Sequence, residues 1–167
     1  NLLLFAYFRL RQHLVFSGLT IAMIIWFFGE AGLLSEYFFP TSPQLCNHLM
    51  VLALFSISTL GFLFNYVFLK DALSSVTRTL LKGACYISGT LLLLSQFMHY
   101  ALGTRIGICL VILYLGSSLV VSLRALTSGY LPARMFFLSN ICAILGGTVM
   151  VLRDLGVLSS ATVSLQG

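Results

Sequence analysis

Long uninterrupted apolar runs are the feature that most constrains what this chain can fold into. Five such runs are each 18 to 22 residues long, over residues 14–34, 48–69, 83–102, 106–123 and 135–152. At ~1.5 Å of rise per residue, a helix of that length crosses a ~30 Å hydrocarbon layer. The runs lack the alternation of β-barrel strands, and lipid offers no water to unpaired backbone groups. The sequence therefore predicts an all-α polytopic transmembrane helix bundle.

The composition shows which surroundings the surface requires. Hydrophobic residues make up 59% of the chain and charged residues 8%, whereas soluble domains average ~45–50% and ~25%. Because so few charges cannot form a polar shell, the surface must face lipid, and the lipid bilayer is the expected partner. The net charge of +5 does not indicate nucleic acid, because no basic cluster is interleaved with aromatic residues.

The basic residues predict an orientation. Seven lie on one set of alternate connections: Arg9, Arg11, Lys70, Arg78, Lys82, Arg124 and Arg134. The other set holds only Arg105 and Arg153. Cytoplasmic loops carry the excess of Lys and Arg, so the first set is predicted to be cytoplasmic.

Glycine and proline mark the expected breaks between spans. Residues 70–82 are interpreted as a polar, basic connection, and a tight turn is expected around Gly103. The break at Gly129 is followed by Pro132, whose fixed φ and missing N–H suit the first turn of a helix. A helix is therefore predicted to begin within about two residues of Pro132.

Three amide side chains lie inside predicted spans: Asn65, Gln96 and Asn140. Each is expected to form an interhelical hydrogen bond. Asn140 is deep and must find a partner, whereas the alternative for Asn65 is that it meets water near the cytoplasmic end. The small residues around Gly146 and Gly147 allow close approach of another helix, either within the bundle or from a second copy in a homodimer.

Five charged or imidazole side chains fall at the predicted outer level of the membrane: Glu30, His48, His99, Arg105 and Arg153. They are the candidate ligand or coupling residues of an extracytoplasmic pocket; the alternative is that each anchors its helix separately at the interface. A carboxylate inside the boundary of an apolar span is unfavourable unless paired or hydrated. Glu30 is therefore predicted to pair with Arg105 or Arg153.

Motifs of catalysis are absent from the sequence. It contains no G-x-G-x-x-G, P-loop or H-E-x-x-H motif. Its four cysteines are widely separated and have no histidine at metal-ligand spacing. We expect no enzyme activity, metal or cofactor within these residues.

Several segments resemble one family of membrane receptors. The first is Asn1-Leu2-Leu3-Leu4-Phe5 with Arg9 and Arg11, and the second is Gly32 with Tyr37, Pro40 and Asn47. The third runs from Gly129-Tyr130-Leu131-Pro132-Ala133-Arg134 through Phe136, Phe137 and Gly146-Gly147 to Arg153 and Gly156. Together they resemble the membrane domain of the bacterial seven-transmembrane receptors with diverse intracellular signalling modules.

The resemblance implies a function and a longer protein. Residues 1–167 would be a single transmembrane sensory domain in the bacterial inner membrane, with its N-terminus outside and with incomplete first and seventh helices. An extracytoplasmic sensor domain would precede it. A cytoplasmic output domain, of the histidine kinase or diguanylate cyclase type used in two-component and related signalling, would follow.

A fragment of a small-solute transporter is the alternative. Transporters tend to show internal repeats, broken helices and charges near the membrane midplane, and none is visible in this sequence. A retinal protein is disfavoured because Lys70 and Lys82 both lie in the predicted cytoplasmic connection.

Overall fold

The computed structural model describes residues 11–154, without the side chains of Asp71 and of residues 147–154. This part of the chain contains helices and turns and no strand. The α-helices are α1 (Arg11–Glu30), α2 (Pro43–Leu69), α3 (Ser75–Leu94), α4 (Tyr100–Thr127) and α5 (Pro132–Asp154). A π-helical turn covers Leu34–Phe38, and 3-10 turns cover Lys70–Ala72 and Ser95–Phe97. The predicted all-α bundle is confirmed; the expected fragments of a first and a seventh helix lie outside the described residues.

Within the described part, four helices are long and apolar enough to cross a membrane: α1, α2, α3 with its 3-10 extension, and α4. The described apolar part of α5 runs from Pro132 to Gly146. Gly146 faces open space among the described residues, so the predicted packing seam within the bundle is not seen there.

Helix α2 is the centre of the bundle. It packs against α1, α3 and α4, while α5 packs mainly on α4. Half of the residues in the most apolar stretch of α2 are buried, against 22%, 17% and 28% in α1, α3 and α4. The other helices therefore keep most of their apolar surface for lipid, and α2 relies on its neighbours.

Helices α2 and α4 run parallel and approach closely through glycine. A Cβ built on Gly103 would lie 2.8 Å from Val51 Cγ1, and one built on Gly107 would lie 2.9 Å from Leu54 Cβ. About two turns further along, a Cβ on Gly61 would lie 2.5 Å from the Tyr114 ring. Such small residues let the backbones approach where no larger side chain fits.

The third predicted span, residues 83–102, begins too late. Helix α3 already begins at Ser75, because the Ser74 side chain accepts a hydrogen bond from the Thr77 N–H at 3.3 Å and so caps the helix. Leu73 and Leu81 are buried against the core, while Lys82 extends over the Tyr66 ring. Residues 75–82 were interpreted as a connection because their charges hid this apolar face.

The turn predicted around Gly103 is wrong as well. The chain turns at Ser95–His99, and Gly103 is buried in the first turns of α4. Its missing side chain makes room for Val51 and does not break the helix. Gln96, placed inside a span by the sequence, consequently lies exposed in the 3-10 turn.

The prediction at Pro132 is confirmed, since α5 begins at that residue. Gly129 has a φ of +83°, a left-handed conformation that glycine adopts without strain. The Gly129 N–H donates to Leu126 O at 3.0 Å and the Tyr130 N–H to Ala125 O at 3.2 Å. These bonds form a Schellman motif that ends α4 and turns the chain into α5.

Candidate functional site

A polar cavity of about 630 Å³ opens where the first turns of α2 meet the α3–α4 turn. Six of its lining residues carry hydrogen-bonding side chains: Gln44, Asn47, His48, Gln96, His99 and Tyr100. Val51, Phe97 and Met98 supply its apolar wall. We call it the polar cavity, and the end of the bundle that contains it the cavity end.

The local folding of two segments brings His48 and His99 together. Pro43 occupies the first turn of α2, and Gln44, Asn47 and His48 follow at three- and four-residue spacing, which puts them on one face of the helix. His99 has extended backbone angles (φ −63°, ψ 140°) and directly precedes α4. The structure therefore places two of the five sequence-predicted site residues at one cavity, although they are 51 positions apart in the sequence.

The remaining predicted residues do not line this cavity. Glu30 ends α1 and Arg105 lies in the second turn of α4, and both side chains are exposed. No ion pair joins them in the part of the chain whose side chains are described. Arg153 belongs to the last turn of α5, and its side chain lies outside that part. The pairing of Glu30 with an arginine therefore stays a prediction.

The side chains that line the polar cavity can form hydrogen bonds in both directions. Imidazole, amide and phenol groups both donate and accept hydrogen bonds, and a few convergent polar groups on a partly apolar wall are typical of small-molecule sites. Among the described residues, no group of three or more His, Cys, Asp or Glu side chains is placed to hold a metal ion. The lining thus offers hydrogen bonds to a ligand, from two helices at once.

A second polar feature lies buried in the middle of the bundle. Ser118 Oγ on α4 lies 3.0 Å from Asn65 Oδ1 on α2 and 2.8 Å from Asn140 Oδ1 on α5. Asn65 and Ser118 are 0% exposed and Asn140 is 5% exposed. We call Asn65, Ser118 and Asn140 the polar node.

The node agrees only in part with the sequence-based expectations. The prediction that Asn140 must find a partner is confirmed by its bonds to Ser118 and, at 2.9 Å, to the Phe136 carbonyl. The favoured prediction for Asn65, an interhelical hydrogen bond, is confirmed by its contact with Ser118. The alternative that Asn65 meets water is wrong, because neighbouring helices cover it completely. Ser118 was not predicted at all: one serine in an apolar run gives no signal until the partner helices are known.

A family model described as 7TM diverse intracellular signalling matches residues 1–166. No curated protein matches the chain, and no solved structure does either.

Proposed function

Because the chain belongs to the family of 7TM diverse intracellular signalling domains, we propose that it carries an extracytoplasmic stimulus to a cytoplasmic output domain of the same polypeptide. The observation that carries this proposal is the family match over residues 1–166. The helical bundle supports it, since packed helices can rearrange between discrete arrangements that a stimulus biases. Catalysis is assigned to the output domain, of the histidine kinase or diguanylate cyclase type.

The gene beyond residue 167 tests the proposal directly. We expect it to encode a soluble kinase or cyclase domain after the last membrane span, because the stimulus must reach a catalytic module in the cytoplasm. Sequencing the complete gene is the measurement. A stop codon directly after the last span would contradict the proposal and would favour the transporter alternative.

We further propose an orientation in the bacterial inner membrane. The helices place Lys70, Arg78, Lys82, Arg124 and Arg134 at the end opposite the polar cavity. Positive charge is retained on the cytoplasmic side. The cavity end, with Thr41 between the π-helical turn and α2, would then face outwards. The predicted first span, which lies outside the described residues, would put the N-terminus of the complete protein on the same side.

Cysteine labelling tests this orientation. Thr41 and Ser75 are both exposed. Thr41 lies just before α2 at the cavity end, and Ser75 begins α3 at the opposite end of the bundle. With the native cysteines replaced by alanine, we expect a membrane-impermeant maleimide to label Thr41→Cys in intact cells with a permeable outer envelope. Ser75→Cys should react only after the membrane is opened. Labelling of Ser75→Cys in intact cells would reverse the orientation.

The polar cavity is the proposed entry point for the stimulus within this domain. It lies between α2 and the N-terminal end of α4, and these two helices also pack closely through glycine. A group that binds both sides would change how α2 sits against α4. The occupant would be a small polar molecule or a polar segment of the preceding sensor domain, held by hydrogen bonds to imidazole and amide groups.

A further inference from the structure

The hydrogen bonds of the polar node have to be assigned from a single proton. Ser118 carries one hydroxyl hydrogen, yet its Oγ faces two amide oxygens, Asn65 Oδ1 at 3.0 Å and Asn140 Oδ1 at 2.8 Å. One hydrogen cannot bond well to both. In addition, Asn65 Nδ2 is buried with no hydrogen-bond partner among the described residues, and an unmet buried donor is costly.

The two asparagines differ in how firmly they are oriented. Asn140 is fixed, because its Nδ2 donates to the Phe136 carbonyl one turn earlier at 2.9 Å, which points Oδ1 at Ser118. Nothing in the described residues holds the Asn65 amide in the same way. Its terminal torsion has two nearly isosteric orientations. With the amide turned over, Nδ2 faces Ser118 Oγ and finds the partner it otherwise lacks.

We propose that the node is a directional hydrogen-bond chain in which Asn65 Nδ2 donates to Ser118 Oγ and Ser118 donates to Asn140 Oδ1. The chain continues from Asn140 Nδ2 to the Phe136 carbonyl. It runs from α2 through α4 to α5 and makes Ser118 the residue that couples all three helices. It also removes the conflict between two acceptors for one proton.

The behaviour of neighbouring serines supports a special role for Ser118. Ser58, Ser88, Ser117 and Ser122 donate to backbone carbonyls three or four residues earlier in their own helices. This is the usual arrangement of a serine inside a helix. Ser118 instead bonds across to two other helices. A donor from Asn65 would hold it there, because it occupies the hydroxyl oxygen and leaves the proton for Asn140.

The position of α5 shows what the hydrogen-bond chain would do to the bundle. Helix α5 packs mainly on α4, and beyond the node its described contacts with α2 include the Phe136 ring, 5.6 Å from Phe64 and 5.4 Å from Phe68. Met135, Leu138 and Leu145 are more than half exposed. The hydrogen-bond chain would thus hold α5 against the α2–α4 pair, whose first turns line the polar cavity. The idea that this contact conveys the stimulus rests on the proposed function. The attachment of α5 to the α2–α4 pair does not depend on it.

A distance measurement on the full-length protein tests the chain. Leu113 on α4 and Leu145 on α5 are 61% and 60% exposed and lie five residues beyond Ser118 and Asn140, away from the Gly129 turn. With other cysteines replaced, spin labels at these two sites report the α4–α5 separation in lipid nanodiscs. Ser118→Ala should raise the ratio of long to short separations about threefold, the factor that corresponds to an interhelical bond of ~0.6 kcal/mol. Ser118→Thr, which keeps the hydroxyl, is the matched control and should leave the ratio unchanged.

The decisive variant is Asn65→Leu, which alters a residue on α2 and not on α5. If the hydrogen-bond chain exists, Asn65→Leu should shift the α4–α5 separation in the same direction as Ser118→Ala, because Ser118 loses the donor that orients it. If Asn65 and Asn140 instead compete for one proton, Asn65→Leu shortens the separation, and the proposal is overturned. An unchanged separation also overturns it, since Ser118 and Asn140 would then be an isolated pair. If Ser118→Ala does not fold, Asn65→Leu decides alone. The readout is independent of any output domain, so its failure is distinct from failure of the proposed function.

Discussion

Gly107→Val should destabilise the bundle by about 1–3 kcal/mol or more, the usual cost of overpacking a close contact. A Cβ at this position would lie 2.9 Å from Leu54 Cβ and 3.2 Å from Leu54 Cδ1. The Leu54 Cβ cannot move without its backbone, so α2 and α4 would have to separate. That separation would disturb the parallel pair on which both the polar cavity and the polar node depend.

Thermal unfolding of the purified protein in detergent measures this effect. Gly116→Val in the same helix is the matched control, because a Cβ at Gly116 meets nothing within 4 Å. Both variants carry the same β-branched residue, so the helix-propensity cost cancels in the comparison. Equal melting temperatures for the two variants would show that α2 and α4 do not pack as described.

Replacing both cavity histidines, His48→Ala with His99→Ala, should lower the output of the full-length receptor by about tenfold under the growth condition that gives its highest output. Each imidazole can supply one hydrogen bond to an occupant, at ~0.5–1.5 kcal/mol net, and ~1.4 kcal/mol in total corresponds to a factor of ten in affinity. Both side chains are exposed, so the fold should tolerate the change. Kinase or cyclase activity in membranes, normalised to receptor content, is the measurement.

His13→Ala is the control for this experiment, since His13 lies at the beginning of α1 at the opposite end of the bundle. Full output from the double variant would reduce His48 and His99 to interfacial anchors. Glu30→Gln, compared with Glu36→Gln in the exposed π-helical turn, examines the predicted arginine pairing of Glu30 in the same assay. A loss confined to Glu30→Gln would support that pairing.

The membrane architecture could be predicted from local sequence. Apolar runs long enough to cross a bilayer must be helical, because lipid satisfies no backbone group, and no knowledge of neighbouring helices is needed for that inference. The end of α2 at Leu69 and the start of α5 at Pro132 could likewise be predicted from the residues nearby in the sequence. Proline at a first turn and glycine with positive φ act through their own backbone.

The errors in the boundaries have a common physical cause. Gly103 was interpreted as a turn because glycine commonly breaks helices, yet in α4 it is the place where Val51 of α2 fits. The start of α3 at Ser75 was missed because the polar residues 75–82 hid Leu81, which is buried against the core. In both cases the partner that explains the residue lies on another helix.

The candidate sites divide in the same way. Residue type and depth in the membrane identified His48, His99, Asn65 and Asn140 as positions that need an explanation, because polar groups are costly in lipid. Only the tertiary structure joined His48 to His99 in one cavity, buried Asn65, and brought Ser118 between two asparagines 75 positions apart. The cost of a polar group in lipid depends on its own chemistry and depth, whereas its partner depends on which helices are neighbours, and that is decided by packing between segments distant in sequence.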